Sequence, residues 1–242
     1  MLESKPLWDT ASVKLAVKLQ FLFPVLEAEF KMRQTATEAL GSLLLGDSWG
    51  HERQHISDTE SKSTGAATKS TAHEVILYNR GHRNDDVCAI LTETCKAVAA
   101  VATKMFVGYA KILVMEPGTQ LLAQTGTTNW RLRVHLPLAQ SGVGAALSLQ
   151  GEKTWYPKGK AIVYDDSYEH DITNDGKDPL VILVVDIWHP ALTQADLLLK
   201  YNEETFYQRQ AIQPKEPQGV ADTYSNHMVE AERNFQSAAK YQ

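Results

Sequence analysis

The sequence predicts a mainly β domain, a sandwich or barrel of short strands with helices at its N- and C-terminal ends. Two observations predict it. Beyond Phe106, short apolar runs recur between the turn signals Glu116-Pro117-Gly118-Thr119, Pro157-Lys158-Gly159-Lys160 and Asn174-Asp175-Gly176-Lys177, a spacing typical of sandwiches and barrels. The second is Arg131-Leu132-Arg133-Val134-His135-Leu136, in which a basic face (Arg131, Arg133, His135) alternates with an apolar one (Leu132, Val134, Leu136). A basic face on an otherwise buried strand has to meet something, and a polar-lined cavity inside a barrel would meet it.

The elements follow in order. Residues 9–45 read as helical: Leu15, Leu19, Leu22 and Leu26 recur at helical spacing, Pro24 interrupts the run, and the pattern resumes from Glu27 to Leu45 before Gly46. The stretch from Ser57 to Thr71 has almost no large apolar side chain, and is expected to be a loop or lid. Val75 to Tyr78 is a short strand, and Asp85 to Thr103 a helix with a break around Thr92. Strands are expected at Ala110 to Met115, Arg131 to Leu138, Ala145 to Leu149, Lys153 to Trp155, Ala161 to Tyr164 and Leu180 to Trp188. Thr193 caps a helix running to about Tyr201, Pro214 to Gly219 is linker-like, and Asn226 to Tyr241 has the pattern of a last, weakly amphipathic helix. The organisation expected is therefore 1–74 as N-terminal helices and loop, 75–195 as the β core, and 196–242 as a helical extension.

Composition narrows the function classes. With 43% hydrophobic and 22% charged residues, the 242-residue chain is that of an ordinary globule able to bury a core. A formal charge of −5 with no basic run argues against a nucleic-acid partner, and no apolar run reaches the ~18 residues that would suggest a membrane span. A cytoplasmic location is expected; a homodimer is compatible with the sequence but not indicated by it. Cys88 and Cys95 would lie roughly 10 Å apart on one continuous helix, too far for a disulfide, whereas a turn between them would bring them together. The preferred reading is two buried thiols in a reducing compartment.

Several motifs in order carry a resemblance: Met115-Glu116-Pro117-Gly118-Thr119, Thr125-Gly126-Thr127-Thr128-Asn129, Arg131 to Leu136, Asp165-Asp166-Ser167-Tyr168-Glu169-His170 and Val185-Asp186-Ile187-Trp188-His189-Pro190. Together they resemble the core of the aspartyl/asparaginyl β-hydroxylase family over roughly residues 75–195. Leu77-Tyr78-Asn79-Arg80-Gly81, with Cys88 and Cys95 beyond it, is similar to that family's entry segment, where two cysteines at this spacing can pair. The resemblance implies a double-stranded β-helix, a jelly-roll or cupin-like barrel, which in the family holds iron(II), binds 2-oxoglutarate and hydroxylates a substrate with dioxygen.

Carried over residue by residue, that chemistry is incomplete. Of the two metal-binding histidines the resemblance implies, His170 is present and the other position is Gln124, a neutral oxygen donor and a poor substitute for imidazole on a transition metal. The arginine that pairs with the far carboxylate of 2-oxoglutarate falls at Leu180, and a helping serine at Leu113. A dicarboxylate facing two leucines loses charge-assisted bonds of about 1.5–3 kcal/mol each. Arg133 and His135, which the resemblance places at the co-substrate's other end, are retained.

The expectation is a barrel without iron or 2-oxoglutarate, acting on a hydrophobic, oxygen-bearing small molecule by cyclisation (pericyclic cyclisation included), isomerisation or dehydration. Arg133 would stabilise negative charge on oxygen, His135 or His170 would shuttle a proton, and Gln124 would hydrogen-bond where the metal lies in the family. Arg131, Lys111, Tyr109, Leu113, Leu180 and Trp188 complete the candidate lining, with packing the favoured role for Trp188 and His189. Asp165 and Asp166 are expected to fix the turn that presents His170. Two other readings stand beside this one: an iron(II) and 2-oxoglutarate hydroxylase with His170 and Gln124 as its protein ligands, and a barrel that binds a ligand without turning it over.

Overall fold

The computed structural model describes residues 2–35, 72–139 and 144–211. The expected loop at 57–71, the continuation of the first helix beyond residue 35, the linker at 214–219 and the helix at 226–241 lie outside the described residues.

Two antiparallel sheets form the core. Strands β1 (Leu7–Trp8), β2 (Ala72–Asn79), β3 (His82–Arg83), β4 (Tyr109–Met115), β6 (Arg131–Ala139), β9 (Ile162–Tyr164) and β11 (Leu180–Trp188) make a seven-stranded sheet of order β1-β9-β6-β11-β4-β2-β3. Strands β5 (Thr119–Gln124), β7 (Ala145–Leu149), β8 (Glu152–Trp155) and β10 (His170–Asn174) make a four-stranded sheet of order β5-β10-β7-β8. From β4 to β7 and again from β8 to β11 successive strands alternate between the sheets, as a double-stranded β-helix requires, and the mainly β jelly-roll expectation holds.

The alternation along each strand separates two cores. Leu132, Val134 and Leu136 of β6, with Leu183 and Val185 of β11, point away from the smaller sheet and pack with Leu19, Leu26 and Phe30 of helix α1 (Lys14–Thr35). The opposite faces meet Leu121, Leu147, Leu149 and Ile172 of the smaller sheet in a second cluster with Leu113, Met115, Leu180, Ile182 and Val184. Each fully buried aliphatic side chain contributes about 1.5–3 kcal/mol, so both faces of the larger sheet are stabilised at once.

Helix α1 runs through Pro24 without ending, which differs from the expected interruption. The proline is exposed, so its ring faces water. The Asp85–Thr103 helix is two helices, α2 (Asp85–Ile90) and α3 (Thr92–Ala102), joined at Leu91. That break brings the cysteine α-carbons to 5.6 Å and Cys88 and Cys95 form a disulfide, correcting the reading of two free thiols. Glu29 of α1 reaches the same place: its carboxylate accepts from the backbone N–H groups of Glu93 and Thr94 and from the Thr94 hydroxyl, capping the start of α3.

Strands β5 and β10 were not expected from the sequence, nor were the two-residue β1 and β3. β10 alternates His170, Ile172, Asn174 inward, so its buried face carries two polar residues and hides the usual apolar signature.

The described residues divide into two units, one ending at Leu192 and the other beginning at Thr193. In the second, Thr193 and Asp196 cap helix α4 (Gln194–Ala211) reciprocally: the Thr193 hydroxyl accepts from the Asp196 N–H, and the Asp196 carboxylate accepts from the Thr193 N–H. No helix among the described residues is long and apolar enough to cross a membrane.

Candidate active site

Strand β6 lies between β9 and β11, and this order builds the site. Arg133 is the cross-strand partner of Tyr164 on one side and of Asp186 on the other. Its guanidinium donates through Nε to Asp186 Oδ1 at 2.7 Å and through Nη2 to Asp186 Oδ2 at 3.1 Å, with Asp166 Oδ2 3.3 Å away. Arg131 donates to Asp166 from Nη2 at 2.7 Å. Burial opposes the charge on Asp186, but the Arg133 guanidinium, Arg131 and the Tyr109 N–H hold its carboxyl below the usual carboxylate range. Arg133 is likewise held protonated: burial disfavours its charge, and Asp186 and Asp166 more than compensate.

Two glycines let the chain approach these carboxylates. A side chain at Gly108 would come within 2.6 Å of Asp186, and one at Gly126 within 2.7 Å of Asp166. The Thr125-Gly126-Thr127 loop therefore presses on the ion network, and Gly126 N–H donates to the Asp166 carbonyl.

The basic face of β6 is thus met by carboxylates. The expected cationic hydrogen-bonding floor is a neutralised four-membered network, and Arg133 offers no uncompensated charge to a ligand. Lys111 is also taken: buried on the same inner face, its Nζ lies 2.6 Å from Glu74 Oε1 and 5.5 Å from the centre of the Tyr109 ring.

His135 sits one row deeper, between two tyrosine hydroxyls. Its Nδ1 is 2.8 Å from Tyr156 Oη, and its Nε2 is 3.2 Å from Tyr164 Oη. Burial, then the neighbouring Arg133 charge, push its pKa well below the ordinary imidazole value, so the ring is neutral. Burial pushes the Tyr164 hydroxyl well above the ordinary phenol value, so it stays protonated.

His170 stands across the interior on β10, with Gln124 of β5 as its direct register partner. His170 Nδ1 lies 2.8 Å from the Tyr168 carbonyl, which fixes Nδ1 as the protonated nitrogen. Its Nε2 is buried with no hydrogen-bond partner. Burial lowers its pKa, so that atom carries a bare lone pair at neutral pH. The His170 and Tyr164 rings meet edge-on with centroids 5.3 Å apart.

The remaining candidates separate clearly. Leu113 and Leu180 are both packed in the inner apolar cluster beneath the polar end. Trp188 donates its indole N–H to the Lys104 carbonyl and packs on Phe106, outside this cluster. His189 accepts from the Ala191 N–H and bonds the Glu3 carbonyl, a structural role. Asp165 accepts from the Ser167 N–H within the turn before His170, whereas Asp166 belongs to the arginine network. Tyr156, Tyr164, Asp186 and Glu74 were not singled out in the sequence. Strand parity marks Tyr164 and Asp186 as inward-facing, but their partners come from strands distant in the chain.

Against iron(II) with 2-oxoglutarate, these residues offer only part of the donor set that the family resemblance implies. His170 has the unpaired Nε2 lone pair and backbone-anchored second nitrogen of a metal ligand. Its neighbour Gln124 offers only an amide, and Asp166 and Asp186 are engaged by arginines. Among the described residues, no group of three or more histidine, cysteine, aspartate or glutamate side chains is arranged to hold a metal. Where the resemblance puts the dicarboxylate's anchors, Leu113 and Leu180 are closed into apolar packing.

Comparison with known proteins gives the lineage. The chain is 35% identical over 119 residues to the human aspartyl/asparaginyl beta-hydroxylase, a match covering 48% of this chain and 16% of that protein. It is 36% identical over 92 residues to the mouse aspartate beta-hydroxylase domain-containing protein 2, covering 37% of this chain and 26% of the relative. The alignments thus span only a minor part of these relatives' length. Among solved structures, a predicted oxalate decarboxylase from Thermotoga maritima aligns with a TM-score of 0.33 at 12% identity, over 50% of this chain and 84% of that one. The family model described as aspartyl/asparaginyl beta-hydroxylase matches residues 42–190, and the chain belongs to that family.

Proposed function

We propose that this barrel is an enzyme that works without iron or 2-oxoglutarate, converting a hydrophobic, oxygen-bearing small molecule by proton transfer and hydrogen bonding. Isomerisation, dehydration and cyclisation, including pericyclic cyclisation, all use such parts. The observation that carries this reading is the pairing of one bare buried acceptor, His170 Nε2, with a hydroxyl-rich wall of Tyr164, His135 and Tyr156 above an apolar cluster. His170 takes a proton or a hydrogen bond from the substrate, and the tyrosines meet the oxygen on which charge develops. The partner is a small molecule; the chain's acidic balance supports neither a nucleic-acid nor an anionic-membrane partner.

Family membership favours a second reading, an iron(II) and 2-oxoglutarate-dependent hydroxylase in which His170 and Gln124 are the protein ligands. Metal analysis of the purified protein, combined with succinate measurement in the presence of 2-oxoglutarate and candidate substrates, separates the two. The proposed reading expects substoichiometric iron and no succinate above a His170→Ala control. Stoichiometric iron with substrate-dependent succinate would replace it by the second.

A further inference from the structure

Residues 3–8, ahead of the stretch 42–190 that matches the family model, cross the turn that presents His170. Leu7 pairs with Tyr164 and Trp8 with Val163, and the Pro6 carbonyl accepts the Asp165 N–H at 3.0 Å. Ser4 Oγ and Tyr168 Oη share a hydrogen bond of 2.9 Å, and the Glu3 carbonyl lies 2.9 Å from His189 Nε2. A ladder this short does not order a chain segment by itself; such segments are ordered where something ties them down. Here the tie is Trp8. It is buried in the outer apolar cluster, with His189 edge-on at 5.0 Å between ring centroids and Lys5 Nζ 4.2 Å from the indole centroid.

Different neighbours hold different residues of the turn. The Gly126 N–H donates to the Asp166 carbonyl, and the Asp166 side chain meets Arg131. The Gln150 N–H donates to the Glu169 carbonyl. Asp165 and Tyr168 fall to residues 3–8. Tyr168 matters most, because its carbonyl accepts the His170 Nδ1 hydrogen at 2.8 Å. A neutral imidazole can carry its hydrogen on either nitrogen, and the partner of one nitrogen decides where it sits. His170 Nε2 has no partner, so the Tyr168 carbonyl selects the tautomer in which Nε2 is a bare acceptor.

We propose that residues 3–8 are a positioning strap for the site. Trp8 anchors it, Pro6 and Ser4 hold Asp165 and Tyr168, and the Tyr168 carbonyl sets which nitrogen of His170 is free. The strap residues act through the turn and not on the imidazole itself. The strap acts the same way whether Nε2 accepts a proton or binds a metal ion, so its role does not rest on the proposed reaction.

Nitrogen-15 NMR of the imidazole nitrogens tests this in the iron-free full chain above neutral pH, with His135 in the same interior as the internal control. In wild type, His170 is expected to show a protonated Nδ1 and an unprotonated Nε2, with the two signals far apart. Trp8→Ala removes the anchor. It is expected to move the two His170 signals toward each other as the second tautomer becomes populated, while the His135 signals stay in place. Ser4→Ala and Tyr168→Phe each delete the strap's side-chain bond from one side and leave the Tyr168 carbonyl present. They are expected to cause the same, smaller displacement, and the double variant no more than either alone. This pair decides the question if Trp8→Ala does not fold. Leu19→Ala, which empties part of the outer cluster on α1, is expected to lower the Tm without moving His170. A wild-type His170 protonated at Nε2 would overturn the proposal, as would His170 signals that stay in place in Ser4→Ala and Tyr168→Phe. So would His135 signals that move as far as those of His170 in Trp8→Ala, or a Leu19→Ala that displaces His170 equally, since either would mark general loosening.

Discussion

At the scale of single residues, Asp186 is where stability and function meet. It is fully buried and takes two hydrogen bonds from Arg133 and one from the Tyr109 N–H. Asp186→Ala leaves a buried guanidinium with only Asp166 as counter-charge and is expected to cost about 3–5 kcal/mol, read as a lowered urea midpoint at constant slope. Acid should act on the same cluster in two stages. His135 is held neutral with a lowered pKa, so its contribution is present above the unfolded value of ~6.5 and is lost as pH falls from there toward the folded value. Asp186 also has a lowered pKa, so its contribution is present above ~3.9 and is lost below that. Urea midpoints between pH 8 and pH 4 are expected to start falling below ~6.5. His135→Gln should flatten that first stage without abolishing it, because His170 is lowered in the same direction. A midpoint that is flat down to pH 5 would contradict the neutral, buried imidazole.

At the scale of elements, the α2–α3 corner shows what periodicity can and cannot report. The sequence places a break near Thr92, and the break is at Leu91, yet whether the cysteines pair depends on how sharply the chain turns there. The turn is set by α1, whose Glu29 caps α3 from a position more than sixty residues away in sequence, a partner no local pattern reveals. With a sequence separation of 7, the disulfide closes a short loop and contributes about 2.5 kcal/mol in the chain-entropy account. Thermal unfolding with and without reductant is expected to differ by several degrees, and Cys88→Ala with Cys95→Ala should abolish the difference. An unchanged Tm under full reduction would mean that Glu29 and the apolar packing hold the corner alone. The two missed core strands illustrate the complementary limit. In β10 the inward positions hold His170 and Asn174, so a strand lining a functional interior lacks the apolar alternation by which strands are found.

At the scale of the whole molecule, the barrel's interior has a polar end and an oily end, and each was legible to a different degree. His170 and Gln124 were identified by resemblance, and the register of β5 against β10 sets them directly opposite one another. Leu113 and Leu180 were likewise identified, and the structure packs them into the same inner cluster although they lie on different strands. The carboxylates that neutralise the arginines were not identified as such, because Asp186 becomes the neighbour of Arg133 only when β11 inserts between β4 and β6. This division makes a test of the barrel's lineage possible by substitution. Gln124→His would set a second imidazole opposite His170 Nε2, and is expected to raise affinity for divalent cobalt or nickel at least tenfold over wild type, read by isothermal titration. Leu180→Arg acts at the other end, where the displaced leucine is fully buried among Met115, Ile182 and Ile172. A guanidinium buried in that apolar cluster is expected to cost several kcal/mol, unless 2-oxoglutarate supplies a counter-charge. Adding 2-oxoglutarate to Gln124→His, Leu180→Arg protein should then raise its Tm, while leaving wild type unchanged. A wild-type Tm that rises with 2-oxoglutarate would show that the oily end still admits the dicarboxylate.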